Sequence, residues 1–155
     1  MSEAFCNFDA DDLKRLERST FVKRIEFHEQ LDSTNDLALE LASNEEIALP
    51  LLVVTEQQTA GRGRGTNSWW ATRGALTFSV VVAAHEDQLP QRSWPRVSLT
   101  AGLAVCEALA ELSPSADLSL KWPNDVFLDG RKLCGILVEV PKGRADRLVI
   151  GIGIN

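Results

Sequence analysis

The stretch LSLKWPNDVFLDGRKLCGILVEV, residues 118–140, decides the fold class. Leu118, Leu120 and Trp122 alternate with Ser119 and Lys121, the period of a strand with unlike faces. Asp129-Gly130 is the dipeptide of a tight two-residue hairpin, because both residue types tolerate positive φ. It joins a strand at Val126–Leu128 to one containing Ile136–Val140. Hairpins place neighbouring strands antiparallel, so a largely antiparallel or mixed sheet is predicted.

Outward from this hairpin, Arg147–Ile152 reads as the last strand, and Leu51–Thr55 and Gly74–Ala84 as apolar, β-branched strands. Lys23–Leu31 alternates as a further strand. Three helices are predicted. Residues 9–18 carry acids in the first turn and bases near the end, matching the helix dipole. Ser33 opens a second, through about Ala42. The third covers Val97–Leu112, with Val97, Ala101, Ala104, Val105, Ala108 and Leu112 on one face. The stretch from Gln57 to Arg73, rich in Gly and Arg, is the least regular. The expected fold is one mixed α/β (α+β) domain with helices packed on its sheet.

Composition narrows the function classes. The chain has 155 residues, 45% hydrophobic and 25% charged, which suits one folded domain and disfavours disorder. Its formal net charge of −6 argues against a general nucleic-acid binder. No apolar run reaches the ~18–20 residues that cross a bilayer, and the acidic N-terminus does not read as a signal peptide. Cys6, Cys106 and Cys134 are odd in number and far apart, so buried free thiols in a reducing cytoplasm are expected.

Three motifs carry chemistry. In Gly61-Arg62-Gly63-Arg64-Gly65, alternating glycines let backbone N–H groups approach a ligand, and the arginines can fork onto carboxylate or phosphate oxygens. The segment is neither a dinucleotide fingerprint nor a phosphate loop, and a solvated hairpin loop is the plain alternative. In Lys121-Trp122-Pro123-Asn124-Asp125, alternation puts Lys121 on the face opposite Leu118, Leu120 and Trp122; taken alone, a solvated lysine before a turn explains it. Ser33-Thr34-Asn35, with Asp36 at the third helical position, resembles a capping box at a helix start. Trp69 and Trp70 could stack on a planar ligand or pack as lids. His28 and His85 lack partners at zinc-ligand spacing, and Ser79 and Ser98 lack the context of a hydrolase nucleophile.

Together with Gln58, Trp69, the run Arg131–Glu139 and Gly151-Ile-Gly-Ile-Asn155, these motifs occur in order and resemble the catalytic domain of biotin–protein ligases, from about Glu29 onward. The resemblance implies a sheet-and-helix core like that of class II aminoacyl-tRNA synthetases and lipoate ligases. It implies a two-step reaction: biotin and ATP give biotinyl-5′-adenylate and pyrophosphate, then a lysine of a biotin carboxyl carrier protein takes the biotin and releases AMP. By that analogy Lys121 bridges the biotin carboxylate and the α-phosphate, and Arg62 and Arg64 cover the adenylate. Ser33, Thr34, Asn35, Gln58, Gly61, Gly63 and Gly135 line the biotin site with them, while Trp69, Asn124 and Asn155 meet the adenine nucleotide. Mg²⁺ accompanies ATP with no ligand assigned. A lipoate or octanoate ligase, a biotin- or adenylate-binding module, and an RNA-contacting Arg-Gly loop are the competing functions.

The family continues beyond the motif at Gly151–Asn155, usually into a small β-domain. The expectation is therefore a catalytic domain, residues 1–155, truncated at its C-terminal end. A free Asn155 carboxylate near the adenine would then weaken ATP binding. Too few residues precede Ser33 for a helix-turn-helix, so no DNA binding is expected. A homodimer stays open.

Overall fold

The computed structural model describes residues 8–71 and 74–155. Helix α1, Ala10–Ser19, starts at Asp9, whose carboxylate accepts from the backbone of Asp11 and Asp12 while Asp12 returns the bond. Strand β1, Arg24–Leu31, follows, then α2, Thr34–Leu41, capped by Ser33, and β2, Leu51–Gln58. Strand β3 spans Leu76–Ala83. A 3₁₀ helix at Gln91–Arg96, unanticipated because Pro95 lies inside it, leads into α3, Val97–Leu112. Strands β4, Leu118–Lys121, β5, Asp125–Leu128, β6, Arg131–Glu139, and β7, Arg147–Ile154, complete the order.

The strands form one sheet in the order β1-β2-β3-β7-β6-β5-β4. Only β1 and β2 pair in parallel, with α2 in their crossover; the other pairs are antiparallel. The mixed sheet is thus as expected. Asp129 and Gly130 have φ of 48° and 74°, as the hairpin dipeptide requires. Strand β2 runs three residues past Thr55, because Gln57 and Gln58 pair with Gln30 and Leu31 of β1. That polar extension has no hydrophobic signature.

Alternation assigns each face. The residues facing α2 form a core of Leu51, Val53, Val81 and Val149 with Ala38, Ala42 and Ile47. On the other face Val126, Cys134 and Ile136 pack with Val105 of α3, and Leu52 and Val54 pack with Val22 beside α1. Helix α3 faces the sheet through Gly102 and Val105, flanked by Ala101, Cys106 and Leu109. The expected face is therefore corrected: Ala104, Ala108 and Leu112 are exposed. The helix is apolar nearly all round, so period alone could not select the side. Gly102 selects it, since a Cβ there would lie 2.7 Å from Leu120 Cδ2.

Helix α2 covers only one end of its sheet face. Toward the other end Gly151, Gly153 and Gly135, aligned across β7 and β6, leave the face low and open. That opening is the site.

Candidate functional site

A cavity of about 400 Å³ lies over those glycines. Its polar end is built by the start of α2 and the end of β2. The Thr34 backbone N–H and hydroxyl both donate to Gln58 Oε1, at 2.8 and 3.1 Å. Gln58 Nε2 therefore remains a donor into the cavity, and Ser33 Oγ, an acceptor from the Asp36 N–H at 3.4 Å, keeps its proton to donate. Asn35 is buried and fully oriented. Its Nδ2 donates to Glu139 Oε2 at 2.8 Å and to the Leu137 carbonyl at 3.3 Å, and its Oδ1 accepts from the buried Ser79 hydroxyl at 2.6 Å. A Cβ on Gly151 would overlap this amide.

The roof is the segment following β2. It is less irregular than its composition suggests: Trp69 N donates to Gly61 O at 2.8 Å, Gly63 N to Asn67 O at 2.7 Å, and Arg62 bridges Ser68. Gly61 is needed where the two arms meet, since a Cβ there would lie 2.5 Å from the Trp69 carbonyl. Residues 72 and 73, the last of the stretch expected to be irregular, lie outside the described residues, as does Cys6.

The arginines of this hairpin differ. Arg62 forks onto Glu139, NH1 to Oε1 at 3.1 Å and NH2 to Oε2 at 2.7 Å, and lies 2.8 Å from Asp36 Oδ1. The Glu139 hydrogen bond, aided by the Glu139 and Asp36 charges, raises the Arg62 pKa above its ordinary value. Arg64 is exposed at the cavity rim and has no ion-pair partner among the described residues.

The floor holds an aromatic. The Trp69 indole rests on Gly135 and Gly153, where a Cβ would collide with the ring, and its Nε1 has no hydrogen-bond partner among the described residues. Lys132 extends over the same ring, its ammonium 5.6 Å from the centroid and 2.8 Å from Asp125 Oδ1. Asn124 and Asp125 complete this end of the cavity.

A model of the biotin/lipoate A/B protein ligase family matches residues 27–155. The chain belongs to that family. Among its relatives, the biotin–[acetyl-CoA-carboxylase] ligase of Mycobacterium tuberculosis is 43% identical over 130 residues, covering 81% of this chain and 47% of the relative. The bifunctional ligase/repressor BirA of Bacillus subtilis is 35% identical over 131 residues, covering 83% and 39%. Among solved structures, the Helicobacter pylori biotin acetyl coenzyme A carboxylase synthetase with bound biotinylated ATP superposes with a TM-score of 0.72 at 35% identity, covering 85% of this chain and 60% of that one. The Aquifex aeolicus biotin protein ligase in complex with biotin and ATP gives 0.71 at 33%, covering 86% and 52%. The chain spans about half the length of the curated relatives it matches.

Within this ligase-family fold, Ser33, Thr34, Asn35, Gln58, Arg62, Gly63, Arg64, Trp69, Asn124 and Gly135 all line one cavity. Lys121 does not. It is exposed on the edge strand β4, with Nζ 5.0 Å from the Phe127 ring centroid. Its ladder partner Asp125 is taken by Lys132 instead, because a bulge between Val126 and Phe127 shifts the register and lets Lys132 fold back across Gly135. Asn155 also lies off the lining, its Nδ2 donating to Trp70 O at 3.1 Å. Sequence reasoning missed Lys132, Asp125, Ser79 and Glu139. Only Lys132 had a usable signal, as a second lysine just past the hairpin turn. Ser79 and Glu139 matter through partners 44 and 104 residues away.

Proposed function

We propose that the chain binds biotin in this cavity and activates it with ATP to biotinyl-5′-adenylate, for transfer to a lysine of a biotin carboxyl carrier protein. One observation carries the reading: neutral donors at one end share a cavity of about 400 Å³ with Lys132 and with Arg64, unpaired among the described residues, at the other. A ureido carbonyl needs donors, which Ser33 Oγ and Gln58 Nε2 supply at the start of α2 and the end of β2. The carboxylate then points toward Lys132, which Asp125 holds at 2.8 Å.

In the first step a carboxylate oxygen attacks the α-phosphorus, the carboxyl O–P bond forms, and pyrophosphate departs. Two anions must meet, so positive charge fixed in advance at the new bond lowers the barrier. Lys132 holds that charge, and Arg64 closes over the phosphates. The Trp69 indole, with its unpartnered N–H, offers the aromatic surface for the adenine, and Asn155 is assigned to the base beside it. Excluding water then protects the mixed anhydride until the acceptor amine attacks its carbonyl and AMP leaves. Mg²⁺ would travel with the ATP phosphates and offset part of their charge; among the described residues no three His, Cys, Asp or Glu side chains cluster to hold a metal.

Lipoate and octanoate have no ureido group and would leave Ser33 and Gln58 unpaired, which discriminates against them. The test is biotin-dependent pyrophosphate release from ATP–Mg²⁺, and label transfer to a carrier domain, with lipoate run in parallel. Release with biotin alone is the expected result. Release with lipoate alone, or with neither acid, contradicts the assignment.

A further inference from the structure

Glu139 enters the sequence reading only as the end of the run Arg131–Glu139, with no role assigned, yet two other segments of the site converge on it. It ends β6, where its side chain reaches both the arginine hairpin and the start of α2. We infer that Glu139 is the positioning residue that holds the arginine hairpin and the polar end of the biotin cavity in register before ligand arrives. The inference rests on the biotin-site reading above.

The geometry divides the labour between the two arginines. Both guanidinium nitrogens of Arg62 that face β6 donate to the Glu139 carboxylate, a planar fork that fixes orientation as well as distance. Arg62 sits in the hairpin arm bridged to Ser68, so holding it also holds Gly63 and Arg64. The charge of Arg62 is balanced by Glu139 and, more exposed, by Asp36. It is therefore an anchor, and Arg64, two residues along, is the one left to face a ligand. The same carboxylate receives Asn35 Nδ2 at 2.8 Å. That bond sets which way the Asn35 amide points, and hence that Oδ1 meets Ser79. Thr34, the next residue back, orients Gln58. One side chain thus couples the roof to the donors, without touching biotin.

The test is Glu139→Gln in the full chain, which keeps the shape, removes the charge and sets an NH₂ against Arg62. Biotin affinity by calorimetry is expected to fall about tenfold or more, the weight of a charge-assisted hydrogen bond. Without biotin, trypsin is expected to cut after Arg64 faster than in the wild type, with cutting elsewhere unchanged. Acceleration at all sites would instead report general loosening and would overturn the inference, as would unchanged affinity and cleavage. Arg62→Lys, which keeps a charge but loses the fork, gives the same test if Glu139→Gln does not fold. Wild-type chain that binds no biotin would refute the biotin-site reading, leaving the Arg64 cleavage rate alone to support or overturn the anchoring.

Discussion

Replacing Lys132 with alanine separates the two lysines that could serve the activation step. Its ammonium is 2.8 Å from Asp125 Oδ1, with side-chain exposures of 43% and 20%. Lys132 is half exposed but Asp125 Oδ1 is buried, so leaving that oxygen without its partner costs about 1–3 kcal/mol. The melting temperature is therefore expected to drop by up to about 10 °C in a chain of this size, with the fold retained. The effect on activation is larger. A unit charge about 4 Å from the charge developing at the α-phosphate contributes about 4 kcal/mol at an effective dielectric of about 20. Removing it slows adenylate formation by about a thousandfold. The loss also leaves Asp125 uncompensated toward an incoming phosphate, so Asp125→Asn in the Lys132→Ala background is expected to recover part of the rate. Lys121→Ala is the control. Its ammonium lies over Phe127, outside the cavity, and truncating an exposed side chain costs within about 0.5 kcal/mol. The assay is biotin-dependent AMP formation, with circular-dichroism melts of each variant. A folded Lys132→Ala that keeps the rate within about threefold refutes the assignment, as does a folded Lys121→Ala that loses it about a thousandfold.

Two further substitutions probe the floor and the core. Gly151→Ala drives a methyl into the Asn35 amide, which Leu137, Glu139 and Ser79 hold in place, so about 1–3 kcal/mol of stability is expected to be lost along with biotin affinity; a wild-type melt and affinity would contradict the close approach. Burial, reinforced by the charge of Asp125, pushes the Cys134 thiol up from 9.0 to about 12. It is therefore expected to resist iodoacetamide at pH 8 in the native chain and to react once denaturant is added, read by mass spectrometry; native labelling at Cys134 would contradict the packing. The unfolded thiol ionises first. Its contribution to stability is thus complete below about pH 9 and lost as pH rises toward about 12, a slope that Cys134→Ser should reduce.

Elements whose signals are local were legible in the sequence. The Asp129-Gly130 turn, the Ser33 cap and the bounds of α3 follow from turn chemistry, capping and period, and the structure has each of them. The polar residues at the start of α2 and in the glycine-arginine hairpin were also readable as a group, and they line one cavity. What could not be read depends on register. The bulge after Val126 carries Lys132, rather than Lys121, over Gly135, and alternation along a strand does not reveal a bulge in its ladder. The inner face of α3 follows from Gly102 against Leu120, a contact between elements. The pairing of Arg62 with Glu139 was not legible either, because the partner is 77 residues away.

The most direct test of the account is a calorimetric titration of the 155-residue chain with biotin, followed by ATP–Mg²⁺ with AMP and pyrophosphate measured in the same sample. The account predicts saturable biotin binding, then biotin-dependent release of pyrophosphate. A chain that melts cooperatively yet gives no binding heat with biotin, and consumes no ATP in its presence, would contradict it.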